Sequence, residues 1–390
     1  MTAATTVRAA DLAAVVRPVD SARGLPNGAY VDPGFARLER EALFGSEWAA
    51  IGFAHDAPGP GDVAPVDVLG QPLVMARDHE GVLRVFHNVC RHRGMILVDQ
   101  PGNRPRALRC PYHSWCYELD GRLRTTPHVG GPGTNRHDAV DRASLGLVEV
   151  RSAVWFGVVF VNLDGRAPAF EDRVAALRAR WAAIDRPLHF AGPESAFSLD
   201  VGGNWKLAVE NYCESYHLPW VHPGLNAYSR LEDHYHIEAG DEGFSGQGTT
   251  VYRPMLSADG RRFPAIAGAG APWNEGAEYV ALYPNVRLGA HRDHAFAIVL
   301  EPRGPEAVRE RVAILYPDAS VAGPAFDDLR AENARLWKGV FEEDIAVVEG
   351  MQRGRHATGF DGGRFSPAMD APTHAFHAWA AERLAARLGA

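Results

Sequence analysis

Two thiols and two imidazoles sit in two short clusters, Cys90-Arg-His92 and Cys110-Pro-Tyr-His113, separated by seventeen residues. Each cluster supplies one sulfur and one ring nitrogen. Thiolates are the usual ligands of iron in iron–sulfur clusters. Replacing two of them by neutral imidazole removes negative charge from the centre and raises its potential. Two cysteines on one iron and two histidines on the other make the Rieske type of [2Fe–2S] centre, which makes Cys90, His92, Cys110 and His113 the candidate cluster ligands. Structural zinc also accepts two cysteines and two histidines, but it usually pairs Cys with Cys and His with His at each end. The mixed pairs favour iron.

A second constellation lies on a helix expected over Asn204–His217. Glu210, Glu214 and His217 are four and three residues apart, so on a helix they project from one face. His222 follows past Pro219, where the chain must leave the helix. Two imidazoles and one carboxylate make the facial triad of a non-heme Fe(II) oxygenase, which leaves coordination positions open for oxygen and substrate. Asp344 is the candidate carboxylate. In a helix expected over Phe326–Arg353 it falls on the stripe Leu336, Val340, Val347, and a charge in an apolar face is costly unless a cation compensates it. A solvated Asp beside Glu342 and Glu343 is the alternative reading of the same pattern.

Two kinds of element must position these groups. The segment 47–162 is strand-like. Leu73–Ala76 and Val82–Phe86 form a hairpin leading into the first ligand pair, and Tyr117–Leu119 and Arg122–Arg124, joined by Asp120-Gly121, form one leaving the second. Leu147–Asn162 closes this part. From Asp164 the texture changes. Phe170–Ile184 reads as an amphipathic helix, with Val174, Leu177, Trp181 and Ile184 on one stripe. Strands are expected at Tyr279–Tyr283, Val286–Ala290, His294–Glu301 and Val312–Tyr316, then long helices at 326–353 and Ala371–Leu388. The expected fold class is α+β: an all-β cluster domain (46–165) and a domain of antiparallel sheet and long helices (166–390), with residues 1–45 a helical segment packing on the latter.

Composition narrows the function. A net charge of -8 argues against a nucleic-acid binder. The longest apolar run, Ala153–Val161, is too short to cross a bilayer and reads as a buried strand. Met1–Asp20 lacks an apolar core of signal-peptide length, so a cytoplasmic location is expected, where thiolate ligands stay reduced. Of the four cysteines, Cys116 and Cys213 read as small hydrophobes.

The wording of the motifs goes further than their spacing. Asn88-Val-Cys-Arg-His-Arg-Gly94, Cys110-Pro-Tyr-His-Ser-Trp115 and Tyr117-Glu-Leu-Asp-Gly-Arg-Leu123 resemble the Rieske domain of ring-hydroxylating and N-demethylating oxygenase alpha subunits. Asn204-Trp-Lys206, Glu210-Asn211, Glu214, His217 and His222 are similar to that family's mononuclear iron segment, and Glu343-Asp344, Glu349, Gln352-Arg-Gly354 and Gly363-Arg-Phe-Ser-Pro367 to its C-terminal pattern. The resemblance implies a Rieske domain joined to a helix-grip catalytic domain, iron held by His217, His222 and Asp344, Glu214 and Asn211 as catalytic residues, and a head-to-tail homotrimer. In it, a carboxylate at position 214 would bridge His217 and His113 of the adjacent chain. Most of the family has Asp there. Glu214 resembles the subgroup acting on quaternary ammonium compounds such as carnitine and betaines.

No Gly-rich dinucleotide fingerprint is apparent, so NAD(P)H would act only through a separate flavin/iron–sulfur reductase or a ferredoxin. The expected function is that of a terminal oxygenase using O2 on a small molecule, by N-demethylation of a methylated amine or, alternatively, aromatic ring hydroxylation. Tyr212, Tyr216, Trp220, Tyr228, Tyr235, Phe244, Tyr252 and Tyr283 could cage an ammonium, face a flat ring, or be plain core. An electron-transfer or ligand-binding Rieske protein without oxygenase activity is the reading from another class. An intact iron triad argues against it.

Overall fold

The structure is a computed structural model describing residues 5–270 and 272–389. It divides into two compact units, one comprising Ile51–Gly165 and the other the residues up to Ala50 together with those from Arg166 onward.

The first unit is built from strands β1 (Ala49–Phe53), β2 (Asp62–Val68), β3 (Gln71–Arg77), β4 (Leu83–His87), β5 (Gly102–Asn103), β6 (Leu108–Arg109), β7 (Cys116–Tyr117), β8 (Leu123–Thr125), β9 (Glu149–Trp155) and β10 (Val158–Asn162). Seven form one sheet in the order β1-β10-β9-β4-β3-β2-β5, and β6-β7-β8 form a second. Both expected hairpins are present. In the first, Asp78 accepts the backbone N–H groups of Glu80 and Val82, which fixes the turn. In the second, Gly121 takes a φ of 88° at the tip, where a side chain would be strained. A core of Val74, Phe86, Trp115, Tyr117 and Leu119 lies beneath the two cysteine loops.

The other unit carries helices α1 (Ala9–Ala13), α2 (Gly28–Val31), α3 (Pro33–Glu39), α4 (Phe170–Arg180), α5 (Trp205–Cys213), α6 (Leu218–Val221), α7 (Pro223–Asn226), α8 (Asp327–Gly354) and α9 (Ala371–Leu388). Its strands are β11 (His189–Phe190), β12 (Ala196–Val201), β13 (His234–Ala239), β14 (Phe244–Thr249), β15 (Ala277–Leu282), β16 (Val286–His291), β17 (Ala295–Pro302) and β18 (Val308–Tyr316). They form one antiparallel sheet in the order β11-β18-β17-β16-β15-β14-β13, with β12 also on β18. Every residue of β14, β15 and β16 is buried. Helices α5 and α9 pack on β14 and on each other, and α8 packs on α5 and β12. This is the expected α+β architecture.

Four expectations need correction. The helix over Asn204–His217 stops at Cys213, and Glu214 is extended, with φ -123° and ψ 163°. Its carboxylate takes the backbone N–H groups of Tyr216 and His217, a local bond that competes with the helix ladder as a capping side chain does. Glu210, Glu214 and His217 therefore do not share a helix face. The buried stripe of α8 is Asn333, Trp337, Phe341, Val348 and Gln352 rather than Leu336, Val340 and Val347, which lie half-buried beside it. Helix α4 ends at Arg180, and Trp181 and Ile184 are buried in the turns beyond it. Strands β12, β13 and β14 were not expected. Two glycines of β14 explain part of that: a Cβ on Gly246 would lie 2.0 Å from the Tyr279 carbonyl oxygen, and one on Gly248 2.3 Å from the Tyr235 ring. Close approach demands the residues that weaken a strand signal.

Candidate functional site: two metal centres and a walled cavity

The two cysteine loops have one shape. Cys90 N–H donates to the Met95 carbonyl (2.8 Å) and Gly94 N–H to that of Cys90 (3.0 Å). Cys110 N–H donates to the Trp115 carbonyl (2.8 Å) and Ser114 N–H to that of Cys110 (3.0 Å). The fourth residue after each cysteine turns left-handed, Gly94 with φ 72° and Ser114 with φ 59°. Glycine adopts this freely. Ser114 is held in it by the Arg109 guanidinium, which donates to its hydroxyl at 2.8 Å. Both cysteines are buried, while His92 is exposed and His113 half-buried, with ring centroids 4.7 Å apart.

The donor set fits an iron–sulfur centre. Burial pushes the Cys90 thiol up; the Tyr117 hydroxyl opposes this and the neighbouring Cys110 sulfur adds to it. A cation beside the Cys90 sulfur would offset that rise and favour the thiolate. The buried Nδ1 of His113 has no hydrogen-bond partner. Tyr117 is the residue that sequence reasoning missed. Its hydroxyl accepts the Arg91 N–H at 2.9 Å, so its own hydrogen is free to point at Cys90 Sγ, 3.2 Å away. Cys116 instead donates to the Ser114 carbonyl, and Cys213 is fully buried, its thiol pushed up to about 12 mainly by burial.

In the other unit His217, His222 and Asp344 converge, with one ligand atom from each lying within 4.8 Å of the others. The segment after α5 brings in His217 and His222, and α8 brings in Asp344 across from them. His222 Nδ1 lies 2.7 Å from Glu343 Oε2 and His217 Nδ1 lies 2.6 Å from Glu214 Oε1. A carboxylate only accepts, so both Nδ1 atoms carry the hydrogen and both Nε2 atoms present lone pairs. Those lone pairs face Asp344 Oδ1 at 3.0 Å from His222 and 3.8 Å from His217. That oxygen is buried and makes no hydrogen bond. Three acceptors aimed at one point repel unless a cation or an extra proton lies among them. Two imidazoles and one carboxylate are a donor set suited to Fe(II). Burial pushes the Asp344 carboxyl up; a positive charge on His222 and His217, with the Asn211 amide, more than reverses this and holds it below its ordinary value. Glu343, to which the sequence reading gave no role beyond its place beside Asp344, is the partner of His222.

A cavity opens over this triad. Its apolar wall is formed by Tyr212, Tyr279, Phe296, Trp337 and Phe341, with Leu218, Leu225 and Val340 completing it. Asn211, His234 and Gln247 form the one polar corner. The Trp337 and Phe341 rings stack with centroids 5.6 Å apart. Of the aromatic residues singled out in the sequence only Tyr212 lines the cavity. Tyr216 and Trp220 are exposed, at 44% and 71%. Tyr235 bonds Glu278 and Tyr283 packs on Trp379, while Tyr252 does not line the cavity but stacks on its wall residue Trp337 at 5.8 Å. Tyr279, Phe296, Trp337 and Phe341 were missed because strand and helix geometry, not sequence proximity, brings them to the iron segment.

Comparison with known proteins agrees with this geometry. The model of the family described as Ring hydroxylating alpha subunit (catalytic domain) matches residues 189–386, and that of the Rieske [2Fe-2S] domain matches 47–140. The chain is 27% identical to the glycine betaine monooxygenase oxygenase subunit of Chromohalobacter salexigens, over 94% of this chain and 87% of the relative. It is 30% identical to the carnitine monooxygenase oxygenase subunit of Escherichia coli, over 56% of this chain and 57% of the relative. The solved structure of a quaternary ammonium Rieske monooxygenase superimposes with a TM-score of 0.78 at 22% identity, covering 98% of this chain and 100% of that one, a likeness of fold. With paired Cys/His loops in one unit and a two-histidine, one-carboxylate set under a walled cavity in the other, the chain belongs to the Rieske ring-hydroxylating oxygenase alpha subunits, O2-dependent oxidoreductases carrying a [2Fe–2S] centre and a mononuclear non-heme iron.

Proposed function

We propose that this terminal oxygenase hydroxylates a methyl carbon of a methylated or quaternary amine, with His217, His222 and Asp344 holding the mononuclear iron and Cys90, His92, Cys110 and His113 the cluster. The observation carrying it is the convergence of the two Nε2 lone pairs on Asp344 Oδ1 beneath an aromatic wall. When bound, iron supplies the activation of O2 that no side chain can. Substrate C–H, O2, two electrons and two protons give C–OH and water; the hemiaminal so formed collapses to formaldehyde and the demethylated amine. The chain's own groups do the rest. Glu343 and Glu214 fix the tautomer and aim of the two imidazoles, as outer partners of ligating histidines do. The aromatic wall attracts a cation and excludes water. Asn211 sits at the polar corner, within reach of both Asp344 and a bound substrate.

Electrons would come from a separate flavin/iron–sulfur reductase or a ferredoxin in the cytoplasm. Among the described residues no helix is long and apolar enough to cross a membrane. In a head-to-tail homotrimer Glu214 would accept a hydrogen bond from His113 of the partner subunit while holding His217. Glycine betaine and carnitine, named for the relatives above, support the amine reading. Stacked Trp337 and Phe341 also suit a flat ring, so aromatic hydroxylation is the second reading.

Asp344→Ala tests the site: mononuclear iron and turnover should be lost while the Rieske absorbance stays, and full activity in that variant would sink the assignment. Substrate-dependent formaldehyde release tests the chemistry. Its absence with a well-turned-over amine would favour the ring reaction.

A further inference from the structure

The charge around the cavity is lopsided. Among the described residues lining it there is neither lysine nor arginine. The polar corner is already committed. Gln247 Nε2 donates to the Glu214 carbonyl at 3.2 Å, which turns its oxygen toward His234 Nδ1, and His234 Nε2 faces the Ser229 hydroxyl at 3.1 Å. With Nδ1 donating to an amide oxygen and Nε2 accepting from a hydroxyl, His234 has no free donor. Arg287, whose guanidinium lies 5.2 Å from the Tyr212 ring centroid, is not part of the lining, and its two terminal nitrogens are taken by Glu310 and the Ala208 carbonyl, which leaves only a buried Nε. Three carboxylates, those of Glu214, Glu343 and Asp344, surround the two imidazoles, so even a divalent ion in the triad leaves an excess of one negative charge. What remains for a ligand's polar end is Asn211 and one N–H of Gln247. That suffices for a hydroxyl and falls short of a carboxylate.

We propose that this cavity selects an alkylammonium cation lacking a carboxylate, with at most a hydroxyl on its short tail, and discriminates against zwitterionic betaines. The inference rests on the amine reading above and narrows it. The aromatic wall attracts the ammonium end whatever its tail, so discrimination falls on the tail. A carboxylate brought into the cavity gives up water without gaining a cationic partner.

The test uses matched pairs that differ only at the tail, titrated calorimetrically into the anaerobic holoprotein: choline against glycine betaine, and carnitine methyl ester against carnitine. Naphthalene is the neutral control. The carboxylate-free member should bind at least tenfold more tightly in both pairs, a difference of about 1.4 kcal/mol. Equal or tighter binding of glycine betaine or carnitine overturns this inference and leaves the amine reading standing. Binding of naphthalene with no heat from any ammonium overturns both.

Discussion

Tyr117→Phe should lower the reduction potential of the cluster without disturbing its assembly. Tyr117 is fully buried in the core beneath the cysteine loops, so a ring of the same shape keeps the packing. Only the hydroxyl is lost, and with it the contact to Cys90 Sγ at 3.2 Å. That hydrogen bond stabilises the reduced centre, which carries one more negative charge, more than the oxidised one. Hydrogen bonds are worth about 0.5–1.5 kcal/mol between neutral groups and about 1.5–3 kcal/mol to charged ones, so the two redox states should differ by roughly 1–2 kcal/mol. At about 59 mV per factor of ten for one electron, the potential should fall by about 45–85 mV. Spectroelectrochemical titration of the purified protein reads this directly. The same substitution strips the Arg91 N–H of its acceptor, but Arg91 is exposed and water can replace it, so thermal stability should hardly move. A potential within about 10 mV of the parent's, less than a twofold change in the redox equilibrium, would refute the placement of the hydroxyl hydrogen on sulfur.

Glu343→Gln should weaken retention of mononuclear iron about 10–100-fold by removing the charged acceptor of His222 Nδ1–H, with cluster absorbance intact; iron content unchanged after exhaustive dialysis would contradict it. Gly246→Ala should cost about 2 kcal/mol or more, because its Cβ would meet the Tyr279 carbonyl 2.0 Å away across the strand pair. A melting temperature matching the parent's would show that the strands part more easily than their burial implies. Glu210 is buried, which raises its carboxyl, yet His377, Arg355 and Tyr30 hold it below its ordinary value of 4.5. A depressed folded value adds stability above the unfolded one and loses it as pH falls through the folded one, so Glu210→Gln should flatten the fall of the urea midpoint below about pH 4.5. Parallel curves for parent and variant would remove Glu210 from the acid limb.

The candidate cluster site was legible because all four proposed ligands lie in two short words of sequence with their hairpins on either side. Asp78 and Asp120-Gly121 announce those turns by their own chemistry. The triad was legible in composition but less so in geometry. His217 was assigned, with Glu210 and Glu214, to one face of a helix that ends four residues before it, because the carboxylate of Glu214 bonds the backbone that follows it, a choice that helical periodicity does not encode. Asp344 stood out as a charge on an apolar face, although the face itself was misdrawn by one position: Phe341 and Val348, not Val340 and Val347, are the buried neighbours. The cavity wall was the least legible. Tyr279 comes from β15 and Phe296 from β17, both in register with Gly289 of the intervening β16, and Trp337 and Phe341 come from α8, so only the folded sheet and helix bring them together.

The described residues up to Ala50 belong to the unit that begins again at Arg166. Leu25 N–H donates to His377 Nδ1 at 3.0 Å, and Arg23 reaches the Asp361 carbonyl at 2.6 Å. During synthesis those partners emerge 352 and 338 residues after the groups they meet. The residues from Ile51 to Gly165 are complete long before, and at roughly 5–20 residues per second the stretch from Arg166 to Ala390 takes about 10–45 s to follow. In that interval the two cysteine loops can close and meet iron and sulfide while the N-terminal segment still waits for its partners. The order of the chain thus lets the Ile51–Gly165 unit finish before the catalytic unit can close, so a ribosome that stalls in the C-terminal half leaves the first unit complete and the N-terminal segment without the partners that hold it.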